Sequence, residues 1–239
     1  MSRSLGVRLA VAAGLTLALL VPFALLAVLI VGQWAPLHTL DASITGSQHA
    51  LALQHPAWVR FMVLWSIVFS PTGFRLLALG VVIWLYRRGA KRLVAWIVTT
   101  LTVGGVLGAL LKLLIGRHRP DLLDPVARAA GFSFPSGHAL NATLACAVFL
   151  LVFLPFLRER RGLRAALWGA VIVVPLVTGL CRIGLGVHWT SDVVAGWLLG
   201  IAVVVATATA FQTWRVDAGR RPVHIAHEGV EPEIAAGRR

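Results

Sequence analysis

The sequence predicts an all-α integral membrane protein with six transmembrane helices and one short interfacial helix. Three observations predict it. Of its 239 residues 58% are hydrophobic and only 13% charged. Mean hydropathy is +0.84, and a soluble domain of this length cannot bury so much apolar side chain. The cations, which give a formal net charge of +13, cluster between apolar runs. That is the pattern membrane topology demands and argues against nucleic acid as a partner. Cys146 and Cys181 lie in or at the end of apolar runs, so neither a structural disulfide nor a metal cluster is expected from them.

The elements follow in order. Residues 9–31 form a 23-residue apolar run, about 34 Å as a helix and enough to cross a hydrocarbon core of about 30 Å. Arg3 and Arg8 precede it as in a signal peptide. The run is longer than such an h-region and lacks a small-residue cleavage site, so a retained anchor is expected. Residues 32–56 read as a polar connection without Lys or Arg. Residues 57–70 are apolar but short and carry Arg60, Trp58 and Trp65, which suits a helix in or re-entering the interface. Pro71 and Gly73 punctuate before a second span at 74–86. The third, at 93–115, carries Gly104, Gly105 and Gly108, which permit close helix packing. A polar loop, 116–135, leads to the fourth span at 136–157; the fifth is expected at 165–181 and the sixth at 189–214. Residues 1–214 thus form one membrane domain, and 215–239 are expected to be a disordered cytoplasmic tail.

The basic clusters Arg87, Arg88, Lys91, Arg92 and Arg158–Arg164, with Arg3, Arg8, Arg215, Arg220 and Arg221, put both termini in the cytoplasm by the positive-inside rule. By parity the end of span three, the start of four, the end of five and the start of six then share the opposite side. Lys112, Arg119, Ser136, Gly137, His138, Arg182, His188 and Asp192 all fall at those ends, so they can converge at one depth.

Each has an ordinary reading. Lys112 and Arg182 suit interfacial anchors, and Thr190, Ser191 and Asp192 suit a helix start. Several cations at membrane depth nevertheless require a compensating anion, since one alone costs roughly 2.5–3.5 kcal/mol on insertion scales. Few carboxylates are at hand, and a phosphate is the economical partner. In Pro135-Ser136-Gly137-His138, proline fits a helix start, and the small residues open the first-turn amides to an anion beside a titratable ring. His188 and Asp192 are four apart, a spacing at which the carboxylate accepts one ring N–H and leaves the other nitrogen as a nucleophile.

Together, Lys112-x6-Arg119-Pro120, Pro135-Ser136-Gly137-His138 and Arg182-x5-His188-x3-Asp192 resemble the three motifs of the type 2 phosphatidic acid phosphatase superfamily, which includes bacterial undecaprenyl-diphosphate and phosphatidylglycerophosphate phosphatases. The motifs cover 112–192 and the six-span layout extends the likeness to about 9–214. One departure is Cys181, where the family usually has serine. The resemblance implies that His188 attacks phosphorus to give a phosphohistidine, with Asp192 holding the ring. It implies that His138 serves as acid and then base, while Lys112, Arg119, Arg182 and the Ser136 and Gly137 amides bind the phosphate oxygens. No metal or other cofactor is implied, since the cations supply the charge; His224 and His227 in the tail lack further metal-ligating partners.

The expected substrate is a membrane lipid phosphate or diphosphate met at the outer face of the plasma membrane, near Trp34, Trp58 and Trp189. Undecaprenyl diphosphate comes first, with phosphatidylglycerophosphate or phosphatidate as the alternative. A non-catalytic phospholipid-binding or transport protein is the rival class; it would need the cations but not His138 and Asp192. A vanadium haloperoxidase would share the anion pocket, but those relatives are soluble. Oligomeric state is left open.

Overall fold

The computed structural model describes residues 3–235. It is helical throughout, with no strand among the described residues. The helices are α1 (Arg3–Val31), α2 (Ala35–Gln54), α3 (Pro56–Val68), α4 (Pro71–Arg87), α5 (Lys91–Ile115), α6 (Gly137–Phe153), α7 (Arg161–Gly184), α8 (Thr190–Asp217) and α9 (Ile225–Glu228), with 3-10 turns at Leu154–Leu157 and Pro232–Ala235. Six stretches are long and apolar enough to cross a membrane: Ala10–Val31, Pro56–Arg87, Lys91–Ile115, Gly137–Leu157, Arg161–Gly184 and Thr190–Asp217.

Local chemistry sets the boundaries. Proline stands in the first turn of α2, α3 and α4, where its missing N–H costs nothing. The Ser70 hydroxyl accepts from the Gly73 amide at 3.0 Å and caps α4. Gly116, at φ 63°, ends α5 in the left-handed conformation and returns its N–H to the Lys112 carbonyl. Pro135, expected inside the helix start, instead lies one residue ahead of the Ser136 N-cap of α6.

α6 is the central helix. Leu140, Leu144, Val148 and Val152 recur at four-residue spacing and are all buried, so one stripe faces protein along its whole length. Glycines let its neighbours come close, as helices in lipid require. A side chain at Gly104 or Gly108 of α5 would collide with Leu144 or Leu140, one at Gly196 of α8 would press on the backbone at the start of α6, and one at Gly200 would meet the Thr143 side chain.

Three regions differ from the sequence expectation. Residues 35–54, read as a polar connection, form the 20-residue helix α2, with Asp41, Thr45, His49 and Ala52 buried. α2 is not among the candidate spans; three of its polar residues, Asp41, Thr45 and His49, point into the protein. α3, expected as a separate interfacial helix, is parted from α4 only by Phe69 and Ser70, and the two make one candidate span of 32 residues. The tail, expected to be disordered, packs back: Val223 and Val230 are buried, and Arg215 forms a two-pronged ion pair with Glu233 at 3.0 and 2.7 Å. Arg220 pairs with Glu231, and Arg221 with Glu228. Residues 236–239 lie outside the described residues.

Candidate active site

The ends of α5, α6, α7 and α8 named from the sequence meet at one end of the bundle. The loop after α5 folds back over them, held by the Ser133 amide on the Arg117 carbonyl at 2.8 Å and by the Ser133 hydroxyl on the carbonyls of Arg117 and His118. α6 and α8 are joined at their N-termini, where the Ser136 amide donates to the Asp192 carbonyl at 2.9 Å. α7 passes through a glycine turn at Gly186, φ 66°, and delivers His188 just ahead of α8. Asp192 is the third residue of that helix and accepts from the Trp189 amide at 2.9 Å, a capping arrangement that fixes the carboxylate.

His188 is 2% exposed and Asp192 fully buried. Arg119 Nη1 lies 3.1 Å from His188 Nε2. A guanidinium only donates, so Nε2 is the acceptor and the neutral ring carries its proton on Nδ1. Nδ1 in turn sits 3.5 Å from Asp192 Oδ2, an ion-pair distance longer than a regular hydrogen bond, and has no hydrogen-bond partner in this arrangement. Burial pushes the His188 imidazole down to about 4, against the upward pull of Asp192. Burial likewise holds the Arg119 guanidinium below its usual value, with Asp192 opposing.

Arg119 is fully engaged. Nε donates to the Gly131 carbonyl at 2.9 Å, Nη2 to those of Ala130 and Phe132, and Nη1 to that of Val187 at 2.6 Å as well as to His188. Lys112 Nζ donates to the Phe132 carbonyl at 2.7 Å and lies beside Gly137, whose missing Cβ would be 4.0 Å from Lys112 Cε. Arg182 Nε and Ser136 Oγ are buried without a partner. His138 has the Arg182 and Arg119 guanidiniums and the His188 ring as its titratable neighbours. All eight residues named from the sequence are therefore in one cluster.

One detail changes. The Ser136 amide, expected to be free for an anion, is taken by Asp192. The groups left for an anion are the Ser136 hydroxyl and the amides of Gly137 and His138, which have no intrahelical acceptor in the first turn. Cys181 packs instead with Ala52, Met62, Leu185 and Val187, so the departure from serine falls in an apolar cluster. A cavity of about 960 Å³ between α1, α6, α7 and α8 contains none of these residues.

Sequence reasoning missed two residues, Arg117 and Asp41. Arg117 donates through Nη1 to Asp192 Oδ1 at 2.7 Å and to Ser191 Oγ at 2.7 Å. Through Nη2 it reaches Asp41 Oδ2 at 2.7 Å. Asp41 comes from α2 and also accepts from the Ser191 amide and hydroxyl. Arg117 was hidden among the six spacer residues between Lys112 and Arg119. Asp41 was hidden because a lone aspartate 76 residues away gives no signal of its partner; a carboxylate in an otherwise near-neutral segment, facing a cation-rich loop, was the available clue.

The sequence profile of the PAP2 superfamily matches residues 93–215, just over half of the chain and all of the motif region. The chain belongs to the PAP2 superfamily. Among curated relatives, phosphatidylglycerophosphatase B of Bacillus subtilis is 40% identical over 101 residues, 40% of this chain and 47% of that protein. A lipid A 1-phosphatase of Rhizobium etli is 34% identical over 126 residues, 49% of this chain and 50% of that one. An undecaprenyl-diphosphatase of Sulfolobus acidocaldarius is 31% identical over 111 residues, 44% of this chain and 48% of that one. The chain thus spans about half the length of the curated relatives it matches. The crystal structure of a transmembrane PAP2-type phosphatidylglycerolphosphate phosphatase from Bacillus subtilis has the same fold, with a TM-score of 0.73 at 22% identity, covering 87% of this chain and 98% of that one. This PAP2 protein is accordingly a multi-pass membrane protein.

Proposed function

We propose that this PAP2 protein is a metal-independent lipid phosphatase that hydrolyses a lipid phosphate or diphosphate through a phosphohistidine. The observation that carries the proposal is His188: a buried neutral ring with Asp192 behind Nδ1 and its Nε2 lone pair turned to the cation cluster at Arg119. In the first step Nε2 attacks phosphorus, forming a P–N bond as the bond to the leaving oxygen breaks, and His138 delivers a proton to that oxygen. In the second, His138 takes a proton from water, whose oxygen displaces Nε2 and releases inorganic phosphate. Lys112, Arg119, Arg182, Ser136 Oγ and the first-turn amide of Gly137 hold the phosphoryl oxygens and offset the charge of the transition state. The donor set is cationic and suits an anion rather than a metal ion.

The named relatives support a lipid phosphate and differ in the lipid. Undecaprenyl diphosphate is the first substrate proposed, ahead of phosphatidylglycerophosphate and phosphatidate. The basic clusters at 87–92 and 158–164 lie at the helix ends away from the site, which supports cytoplasmic termini and an extracytoplasmic site. The test is phosphate release by the purified protein in detergent with EDTA, over those three lipids and a soluble phosphate monoester. Release that survives EDTA and favours one lipid is the expected result. Silence across the panel from folded protein refutes the proposal and moves weight to binding or transport.

A further inference from the structure

Asp41 is 1% exposed and sits on a helix outside both the candidate spans and the matched family region. A carboxylate buried this deeply persists only when charge and hydrogen bonds compensate it. Its oxygens receive Arg117 Nη2, the Ser191 amide and the Ser191 hydroxyl. Arg117 in turn spans two carboxylates, with Nη2 on Asp41 and Nη1 on Asp192 Oδ1, and its guanidinium lies 5.5 Å from the Trp189 ring centre. The three phosphate-side cations, Lys112, Arg119 and Arg182, make no such pair with a carboxylate among the described residues. Arg117 is therefore a cation of another kind: it faces the back of Asp192 and not the phosphate side.

We propose that Asp41 and Arg117 are positioning residues for His188, fixing the Asp192 carboxylate so that Oδ2 faces the imidazole Nδ1 and setting the net charge behind the ring. This rests on the phosphatase reading above. Asp192 has two oxygens and three claimants. Arg117 occupies Oδ1, which leaves Oδ2 to the Trp189 amide and the His188 ring and so fixes the carboxylate plane. Arg117 also offsets part of the Asp192 charge, which keeps the ring neutral and nucleophilic. Asp41 holds Arg117 in that place and limits how strongly it draws on Asp192. Helix α2, which supplies no phosphate ligand, thereby becomes part of the catalytic apparatus.

The charges facing His188 are Asp192 of α8, Arg119 of the loop, Arg182 of α7 and His138 of α6, with Lys112 of α5 facing Asp192. Arg117 and Asp41 lie behind them and carry opposite signs, so their removal has opposite effects on the ring. The experiment is the pH profile of kcat/KM with a soluble phosphate monoester, for wild type, Arg117→Gln, Asp41→Asn and Ser191→Ala. Arg117→Gln removes a positive charge, stabilises the imidazolium and moves the acid limb to higher pH. Asp41→Asn removes a negative charge and moves it to lower pH by a smaller amount. Both lower kcat by about 10- to 100-fold, the loss seen when the outer partner of a metal-bound histidine is removed, with KM within about threefold because neither touches substrate. Ser191→Ala breaks contacts in the same network without changing charge, and its acid limb stays where it is in wild type. Asp41→Glu restores part of kcat, and with Arg117→Lys it supplies charge-retaining variants where the neutral ones fail to fold. Shifts of one sign in both neutral variants, no shift in either, or a loss confined to KM would overturn the proposal while leaving the phosphatase reading intact. Absence of phosphate release by wild type overturns that reading and this one with it.

Discussion

Replacing Gly196 by alanine tests whether the α6–α8 junction sets catalytic geometry. The new Cβ would lie 2.8 Å from the Ser136 carbonyl oxygen, 3.0 Å from Ala139 Cβ and 3.1 Å from the Leu140 amide nitrogen. These fall roughly 0.3–0.6 Å short of ordinary contact. Two of the three are backbone atoms of α6, which cannot rotate aside, so α8 has to back away. Overpacking of this kind costs about 1–3 kcal/mol, or a lowering of Tm by about 2–4 °C for each kcal/mol in a chain of this size. There is also a catalytic cost. The Ser136–Asp192 backbone bond of 2.9 Å sits at the same junction and ties the Ser136-Gly137-His138 turn to the helix that bears Asp192. Displacement of reacting groups by about 1 Å costs on the order of 100-fold. The overlap is about half of that, so initial rates of phosphate release at saturating lipid, with thermal unfolding in the same detergent, should show a kcat about tenfold below wild type in a protein that still folds. Gly80→Ala, with nothing within 4 Å of its Cβ, is the control. A Gly196→Ala enzyme whose kcat stays within threefold of wild type would refute the reasoning.

His188→Ala should abolish phosphate release while membrane insertion and the detergent elution profile are retained; near-normal release would remove the phosphohistidine from the mechanism. Because burial holds His188 down to about 4, the nucleophilic form persists well below pH 6.5. The acid limb of kcat/KM, corrected for ionisation of the substrate, should then fall near pH 4 and not near 6.5; a limb at 6.5 would mean the ring is solvated in the working enzyme. Leu123 is 91% exposed on the loop over the site, so Leu123→Cys should react with an impermeant maleimide from outside intact cells. Reaction only after permeabilisation would reverse the topology. Glu233→Ala removes the carboxylate that Arg215 grips and should speed proteolysis beyond residue 220, with phosphate release within twofold of wild type since the tail lies at the opposite end of the bundle. Unchanged proteolysis would show that the pair does not hold the tail.

The spans and the clustering of the eight candidate residues were legible because each rests on short-range information. A run of apolar residues announces a helix in lipid by composition alone, and parity then brings helix ends together without knowledge of the packing. What was illegible depended on long-range pairing. α2 carries neither a long apolar run nor a basic cluster, and its reason for being helical lies in where Asp41, Thr45 and His49 are buried. The order of the tail likewise depends on Glu233 meeting an arginine that ends α8. The Ser136 amide was misassigned for the same reason: a first-turn N–H is free within its own helix, but the Asp192 carbonyl that takes it belongs to another. Arg117 shows the limit of motif spacing, since two arginines of one short segment, 117 and 119, face carboxylates in one case and the histidine in the other.

The saturation of Arg119 has a consequence for the proposed turnover. A guanidinium has five N–H groups, and all five already have acceptors in four carbonyls and one ring nitrogen. A phosphate reaching this arginine is bound by exchange and not by addition. It displaces at least one resident acceptor, and the nearest to the reaction is His188 Nε2, whose lone pair is thereby released at the moment a phosphorus atom arrives to receive it. The free energy of capture is then a difference between two sets of hydrogen bonds, smaller than the cation count suggests. Inorganic phosphate leaves as its place is retaken by the protein's own acceptors, so the carbonyls and the ring nitrogen that hold Arg119 at rest compete with the product for its N–H groups.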